Sequence, residues 1–165
     1  MIKKEQRVGV FVDVQNMYYS AKNLHHSKVD YRQLLNIAVQ GRKLIRAIAY
    51  VIKADVKDEG TFFDALEKIG YQVKGKELQT FAGGAQKGDW DVGLAMDMIE
   101  LSPKLDAVVL VSGDGDFVPL VQHLRRALGC RVEVVSFRKS SSKNLVEQAD
   151  KFIDLDKKKQ VLLKK

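Results

Sequence analysis

Cysteine is almost missing from this chain of 165 residues: Cys130 stands alone, which excludes an intramolecular disulfide and any zinc cluster built on cysteines. Long apolar runs are missing too. The longest strand-like stretches break after about eight residues, well short of the roughly 20 that span a bilayer as a helix, so a membrane protein is not expected. The chain opens on the charged MIKKEQR in place of an apolar leader, and with a single cysteine this makes the cytoplasm the expected compartment. A broad excess of positive charge is also lacking. The net charge is +7, but five of the 28 basic residues fall in the terminal KKKQVLLKK, leaving 23 basic against 21 acidic residues in the body. A body so nearly balanced is not the uniformly basic surface that binds duplexes nonspecifically, so contact with a polyanion must be local or assisted.

What is present is a recurring β-rich apolar pattern. RVGVFVDV at 7–14, LIRAIAYVI at 44–52, DAVVLVSG at 106–113 and CRVEVVSF at 130–137 each read as a strand buried on both faces. YQVK at 71–74 is a shorter candidate and FIDL at 152–155 a possible edge strand. Helical stretches lie between them. Phe117, Leu120, Val121, Leu124 and Leu128 form one apolar stripe closed by Gly129. TFFDALEKIG runs from a Thr61 cap to Gly70, and DYRQLLNIAVQG from Asp30 to Gly41. DVGLAMDMIEL is a further helix closed by Pro103. This alternation predicts an α/β fold with an open, mostly parallel sheet and helices on both faces. FAGGAQKG at 81–88 and the lysine-rich end are expected to be the least ordered parts.

In such sheets the functional crevice lies beyond the carboxyl ends of the strands. Asp13 closes the first strand and Asn16 opens the helix after it, while Asp114 and Asp116 in SGDGDF follow the strand at 106–113. Capping competes with function for Asp116, which opens a helix with Pro119 in its first turn, and for Asp91, or its neighbour Asp89, at the start of the helix ending near Leu101. Asp13 is harder to explain that way, because an acid at the end of an apolar strand needs a cation or donor partner. Clustered carboxylates suit Mg²⁺ or Mn²⁺, and the chain has no D-x-D-x-D-G loop for calcium. A divalent cation with open water positions polarises a phosphoryl oxygen and lowers the pKa of bound water, which phosphodiester hydrolysis requires. No G-x-G-x-x-G follows the first strand, which disfavours a dinucleotide enzyme. A haloacid-dehalogenase-like phosphatase wants D-x-D where this chain has Gln15.

FVDVQN, KGDWDVGLAMDM and VSGDGDFVPLV, in this order and on these elements, resemble the NYN domains of the LabA-like (DUF88) family, within the PIN-like nuclease superfamily. The similarity runs from about Arg7 to Leu155. It implies a Rossmann-like PIN-type fold in residues 1–156, followed by a basic tail at 157–165. It also implies a Mg²⁺ or Mn²⁺ site and RNA, expected single-stranded, as substrate. Asp13 with Asn16, Asp91, and Asp114 with Asp116 would be the site residues, with Ser112 orienting a carboxylate. Many members read K-G-x-D, whereas KGDWD has one residue more, so Asp89 competes with Asp91. Asp97 also matches, but six residues past Asp91 it points about 240° around the helix, which suits a supporting role.

Other residues are weighed on chemistry alone. Lys87 could clamp a phosphate, and Trp90 and Tyr18 could stack on unpaired bases, although packing suits at least one of them. Ser142 caps a following helix or, with Arg138 and Lys143, receives an RNA phosphate. His25 and His26 have no partner at metal-binding spacing and are assigned to the surface. The expected activity is a metal-dependent ribonuclease, and the rival is a noncatalytic RNA-binding module of the same fold.

Overall fold

The apolar runs pair into one sheet because each strand is flanked by neighbours and covered by helices on both sides, so that nothing along it needs to be polar. In the computed structural model, which describes residues 4–53, 58–77, 79–80, 86–87 and 90–163, the strands are β1 (Arg7–Asp13), β2 (Lys43–Ile52), β3 (Gln72–Lys76), β4 (Gln79–Thr80), β5 (Gln86–Lys87), β6 (Ala107–Val111), β7 (Arg131–Ser136) and β8 (Lys151–Asp154). The helices are α1 (Val14–His25), α2 (Tyr31–Val39), α3 (Glu59–Ile69), α4 (Asp91–Leu101), α5 (Val118–Arg126) and α6 (Lys143–Gln148). Six strands form a wholly parallel sheet in the order β3-β2-β1-β6-β7-β8. FIDL is its edge strand, as expected. β4 and β5 form a separate two-residue antiparallel pair, which places Lys87 in a strand; most of the glycine-rich stretch, and Asp89, lie outside the described residues.

Alternation sorts the side chains into two cores. Val10 and Val12 of β1 pack with Met17, Leu34, Ala38 and Leu66 of α1, α2 and α3. Phe11 points the other way and packs with Leu94, Met98, Val121, Leu124 and Leu145 of α4, α5 and α6. The helices therefore cover both faces, three to a side. Among the described residues no helix is long and apolar enough to cross a membrane.

Three local expectations are corrected. Thr61 is not the cap of α3: Asp58 is, and its carboxylate accepts from both the Thr61 N–H and the Thr61 hydroxyl. Leu128 leaves the apolar stripe because α5 stops at Arg126, and it is exposed. The basic end is not a frayed tail as far as Leu163. Val161 is wholly buried, its carbonyl accepts from the Asp30 N–H at 2.7 Å, and the Leu163 N–H donates to the Lys28 carbonyl at 2.8 Å.

Truncation at Asp156 is therefore expected to destabilise the domain. Loss of Val161 burial alone costs about 1.5–3 kcal/mol, which in a domain of this size lowers the melting temperature by roughly 3–10 °C. Thermal melts of the full and truncated chains measure this, and an unchanged midpoint would show that the end contributes nothing.

Candidate metal centre

From β1 the chain proceeds outward through β2 and β3, then returns to the other side of β1 with β6 and continues outward again. The strand order thus reverses between β1 and β6, and their crossovers leave a crevice at the carboxyl ends. Val12 lies beside Val111 across that pair, so Asp13 and Ser112 emerge next to each other.

Asp13, Asp91 and Asp114 meet there. One carboxylate oxygen from each lies within 4.8 Å of the others, and all three residues are only partly buried. Ser112, fully buried, ties two of them together: its Oγ donates to Asp13 Oδ2 at 3.0 Å and accepts from the Asp114 N–H at 3.1 Å. Asn16 secures the turn by accepting from the Gly113 N–H at 2.9 Å through Oδ1. A side chain at position 113 would collide with its surroundings, since a Cβ would stand 2.8 Å from the hydroxyls of Ser136 and Ser141. The β6 loop is therefore wedged against the segment before α6, whose Ser142 N–H donates to the Gly113 carbonyl.

Capping is distributed differently from the sequence reading. Asp13 itself caps α1, its Oδ1 accepting from the Asn16 N–H at 3.2 Å. Asp114, not Asp116, caps the turn at Gly115–Phe117, accepting from the Asp116 N–H at 2.9 Å. Asp116 is exposed and is not one of the three clustered acids. The residue before α4 is Trp90, which makes no capping bond with its side chain, and Asp91 occupies the first turn. Capping thus accounts for one oxygen each of Asp13 and Asp114, while Asp91 stands in the first turn of α4 and is not its cap residue.

Asp97 is not one of the three clustered acids. Its Oδ2 accepts from the Lys74 ammonium and the Tyr50 hydroxyl, both at 2.7 Å. Desolvation pushes its carboxyl up, but these donors outweigh that and hold it below the usual range. Tyr50 is the strand neighbour of Asp13, and burial, then its bond to Asp97, raises the phenol so that it stays a neutral donor. The apolar context of β2 disguised this tyrosine in the sequence, since nothing local marks the acid it meets 47 residues later.

The residues expected to bind nucleic acid lie on several elements. Trp90 turns inward, donating from its indole to the Val51 carbonyl at 3.0 Å and packing against Tyr50. Arg138 lies over the Phe152 ring and beside Asp154. Ser142 caps α6 through the Leu145 N–H, and Lys143 is exposed at the first position of that helix. The Lys87 side chain lies outside what is described. His25 is not a free surface residue, for its Nε2 is 2.7 Å from Asp156 Oδ1.

All the donors gathered at the crevice are oxygens, and most are carboxylates. Three carboxylates this close repel unless a proton or cation intervenes, and hard divalent cations such as Mg²⁺ and Mn²⁺ prefer such a set. The residues fit an ion of that class.

Comparison with known proteins agrees with this architecture. The model of the NYN domain matches residues 7–156. Low amplitude and bright protein LabA of Synechococcus elongatus is 31% identical over 164 residues, covering 94% of this chain and 87% of that protein. The crystal structure of a protein of unknown function from Vibrio parahaemolyticus superposes with a TM-score of 0.87 at 35% identity, covering 99% of each chain. With the family pattern matched over most of its length and its acids gathered at the switch point, the chain belongs to the NYN domain family.

Proposed function

We propose that this protein is a metal-dependent ribonuclease that hydrolyses phosphodiester bonds of single-stranded RNA. The observation that carries the reading is the meeting of Asp13, Asp91 and Asp114, drawn from three separate elements, at the reversal of strand order. In this reading the three aspartates hold Mg²⁺ or Mn²⁺. Bound there, the ion supplies charge neutralisation, polarisation of a phosphoryl oxygen and a lowered pKa for water.

The chain's own residues prepare that chemistry. Ser112 fixes the rotamer of Asp13 and anchors the backbone of Asp114, while Asn16 holds the Gly113 turn, so the ligands are placed before any ion arrives. Asp116, exposed and outside the three clustered acids, is assigned to outer contacts rather than direct ligation. In this reading Lys143, exposed at the start of α6, meets backbone phosphate. The lone cysteine suits a reducing compartment, and the cytoplasm is the proposed site of action.

One observation favours the rival RNA-binding module: Asp13 and Asp114 already serve as helix caps, which a chain without catalysis would also need. Incubating labelled single-stranded RNA with the protein in Mg²⁺, Mn²⁺ or EDTA separates the two. Cleavage in both metals and none in EDTA is expected. Binding without cleavage in every metal condition would support the rival, and cleavage surviving EDTA would remove the metal from the reading.

A further inference from the structure

Beside the acidic cluster, on the face of the sheet covered by α1, α2 and α3, lies a cavity of about 550 Å³. That is within the roughly 300–1,000 Å³ of small-molecule sites. It is large enough for one nucleoside and too small for a duplex. Three rings from three elements line it: Tyr18 of α1, Tyr31 of α2 and Phe62 of α3. Tyr31 and Phe62 meet edge to face, with centroids 5.7 Å apart. Apolar Val51 and polar Gln15 and Thr61 complete the part of the wall that matters here.

We propose that this cavity is a nucleobase subsite, which takes one unstacked base of the strand whose phosphate lies at Asp13, Asp91 and Asp114. The assignment rests on the ribonuclease reading for the identity of the strand. Its support is continuity. Val14 and Gln15, which line the cavity, directly follow Asp13, and Asn16, the next residue, faces the acidic loop through its bond to Gly113. The first turn of α1 thus has the acidic crevice on one side and the aromatic cavity on the other.

A single strand crossing that turn presents its phosphate to the acids and can splay a base between the rings, the usual way unpaired bases are held. Tyr31 adds a polar handle. The residue is more than nine-tenths buried and lines the cavity. Burial, then the charge of Asp13, keeps that phenol neutral and so a donor. Lining the cavity, a neutral phenol can donate to an acceptor on the edge of a base.

Two small probes test the subsite apart from cleavage. Adenosine 5′-monophosphate and ribose 5-phosphate carry the same phosphate and differ in the base. Calorimetric or NMR titration of each into the protein with Mg²⁺ is expected to show the nucleotide binding at least about 5-fold tighter, the preference coming from stacking. Phe62→Leu, which keeps apolar bulk and removes the ring, is expected to abolish most of that preference. Tyr31→Phe, which keeps the ring and the fold, is expected to reduce it about 2- to 10-fold. Ribose 5-phosphate should bind all three proteins alike.

Equal affinity of the wild type for the two probes would overturn the subsite, as would a preference that both variants retain. Failure of the ribonuclease reading looks different: the base preference would survive, while Mg²⁺ would change the affinity for neither probe.

Discussion

Asp13→Asn is expected to reduce metal-dependent RNA cleavage by at least about 100-fold while leaving the metal-free protein as stable as the wild type. The asparagine oxygen can still accept from the Asn16 N–H, so the cap of α1 survives. Ser112 has lone pairs to accept from the new amide as well as from the Asp114 N–H. What is lost is one anionic donor of three, and an amide oxygen is a poorer partner for a hard cation. Removing a negative charge from the cluster also relieves repulsion, so the melting temperature without metal should hold or rise slightly. The rise in melting temperature on adding Mg²⁺ or Mn²⁺ should shrink, because stabilisation by a ligand follows its affinity for the folded state. Asp114→Asn should behave in the same way, since it too trades an anion for a competent cap. Asp116→Asn, at an exposed residue outside the three clustered acids, should keep cleavage within about 10-fold of wild type. Undiminished metal shifts in both Asp13→Asn and Asp114→Asn would mean that these residues are caps and nothing more.

Arg42→Met is expected to produce the largest loss of stability of any single change proposed for this chain. Arg42 and Glu133 are sealed together, with their side chains 0% and 1% exposed. The guanidinium meets the carboxylate through two bonds, at 2.7 and 2.9 Å, and donates also to the carbonyls of Ala38 and Val39. Removing the arginine leaves a buried carboxylate whose other named ionic partner is the half-exposed Arg131. Breaking such a pair costs about 3–5 kcal/mol, and Arg131 should keep the loss near the lower figure. Burial pushes the Glu133 carboxyl up, but Arg42 and then Arg131 outweigh it and hold the group below its ordinary 4.5. Its stabilising contribution is therefore present above pH 4.5 and lost as the pH falls through the depressed folded value. Without Arg42 the carboxyl is protonated more readily, so the deficit of the variant should be large near pH 7 and smaller near pH 4. Denaturant titrations at the two pH values measure this. Arg42→Met combined with Glu133→Leu should recover most of the loss, because an apolar pair of similar bulk requires no charge to be buried. A single variant as stable as the wild type at pH 7 would mean that water reaches Glu133 freely.

The sheet was legible in the sequence because a strand covered on both faces has little reason to carry polar residues, and β1, β2, β6 and β7 each show a predominantly apolar run, interrupted by a charge only at Arg46 in β2 and Glu133 in β7. The carboxyl-end acids stood out against it for the same reason. Convergence was harder to see. Asp91 joins the other two acids through the start of α4, and no local pattern reports that a helix from the middle of the chain opens beside β1 and β6. Capping was misread where two competent residues lie close together, as with Asp58 and Thr61 or Asp114 and Asp116, since only the backbone path decides which one meets the free N–H groups. The docking of Val161 was hidden by the lysines around it. The ring-lined cavity could not be read at all, because Tyr18, Tyr31 and Phe62 come together only when three helices pack.

The place of β1 in the middle of the sheet also bears on when the protein becomes competent. β2 follows β1 soon in the chain, but the other partner, β6, begins only at Ala107. Closing so long a loop costs entropy before its contacts repay it, so pairing of β1 with β6 belongs to the later stages of folding. During synthesis the N-terminal half can organise β1, β2 and the helices between them while Asp114 has yet to be made. The acidic cluster is thus a product of the finished sheet, and a nascent chain carries Asp13 without the means to use it.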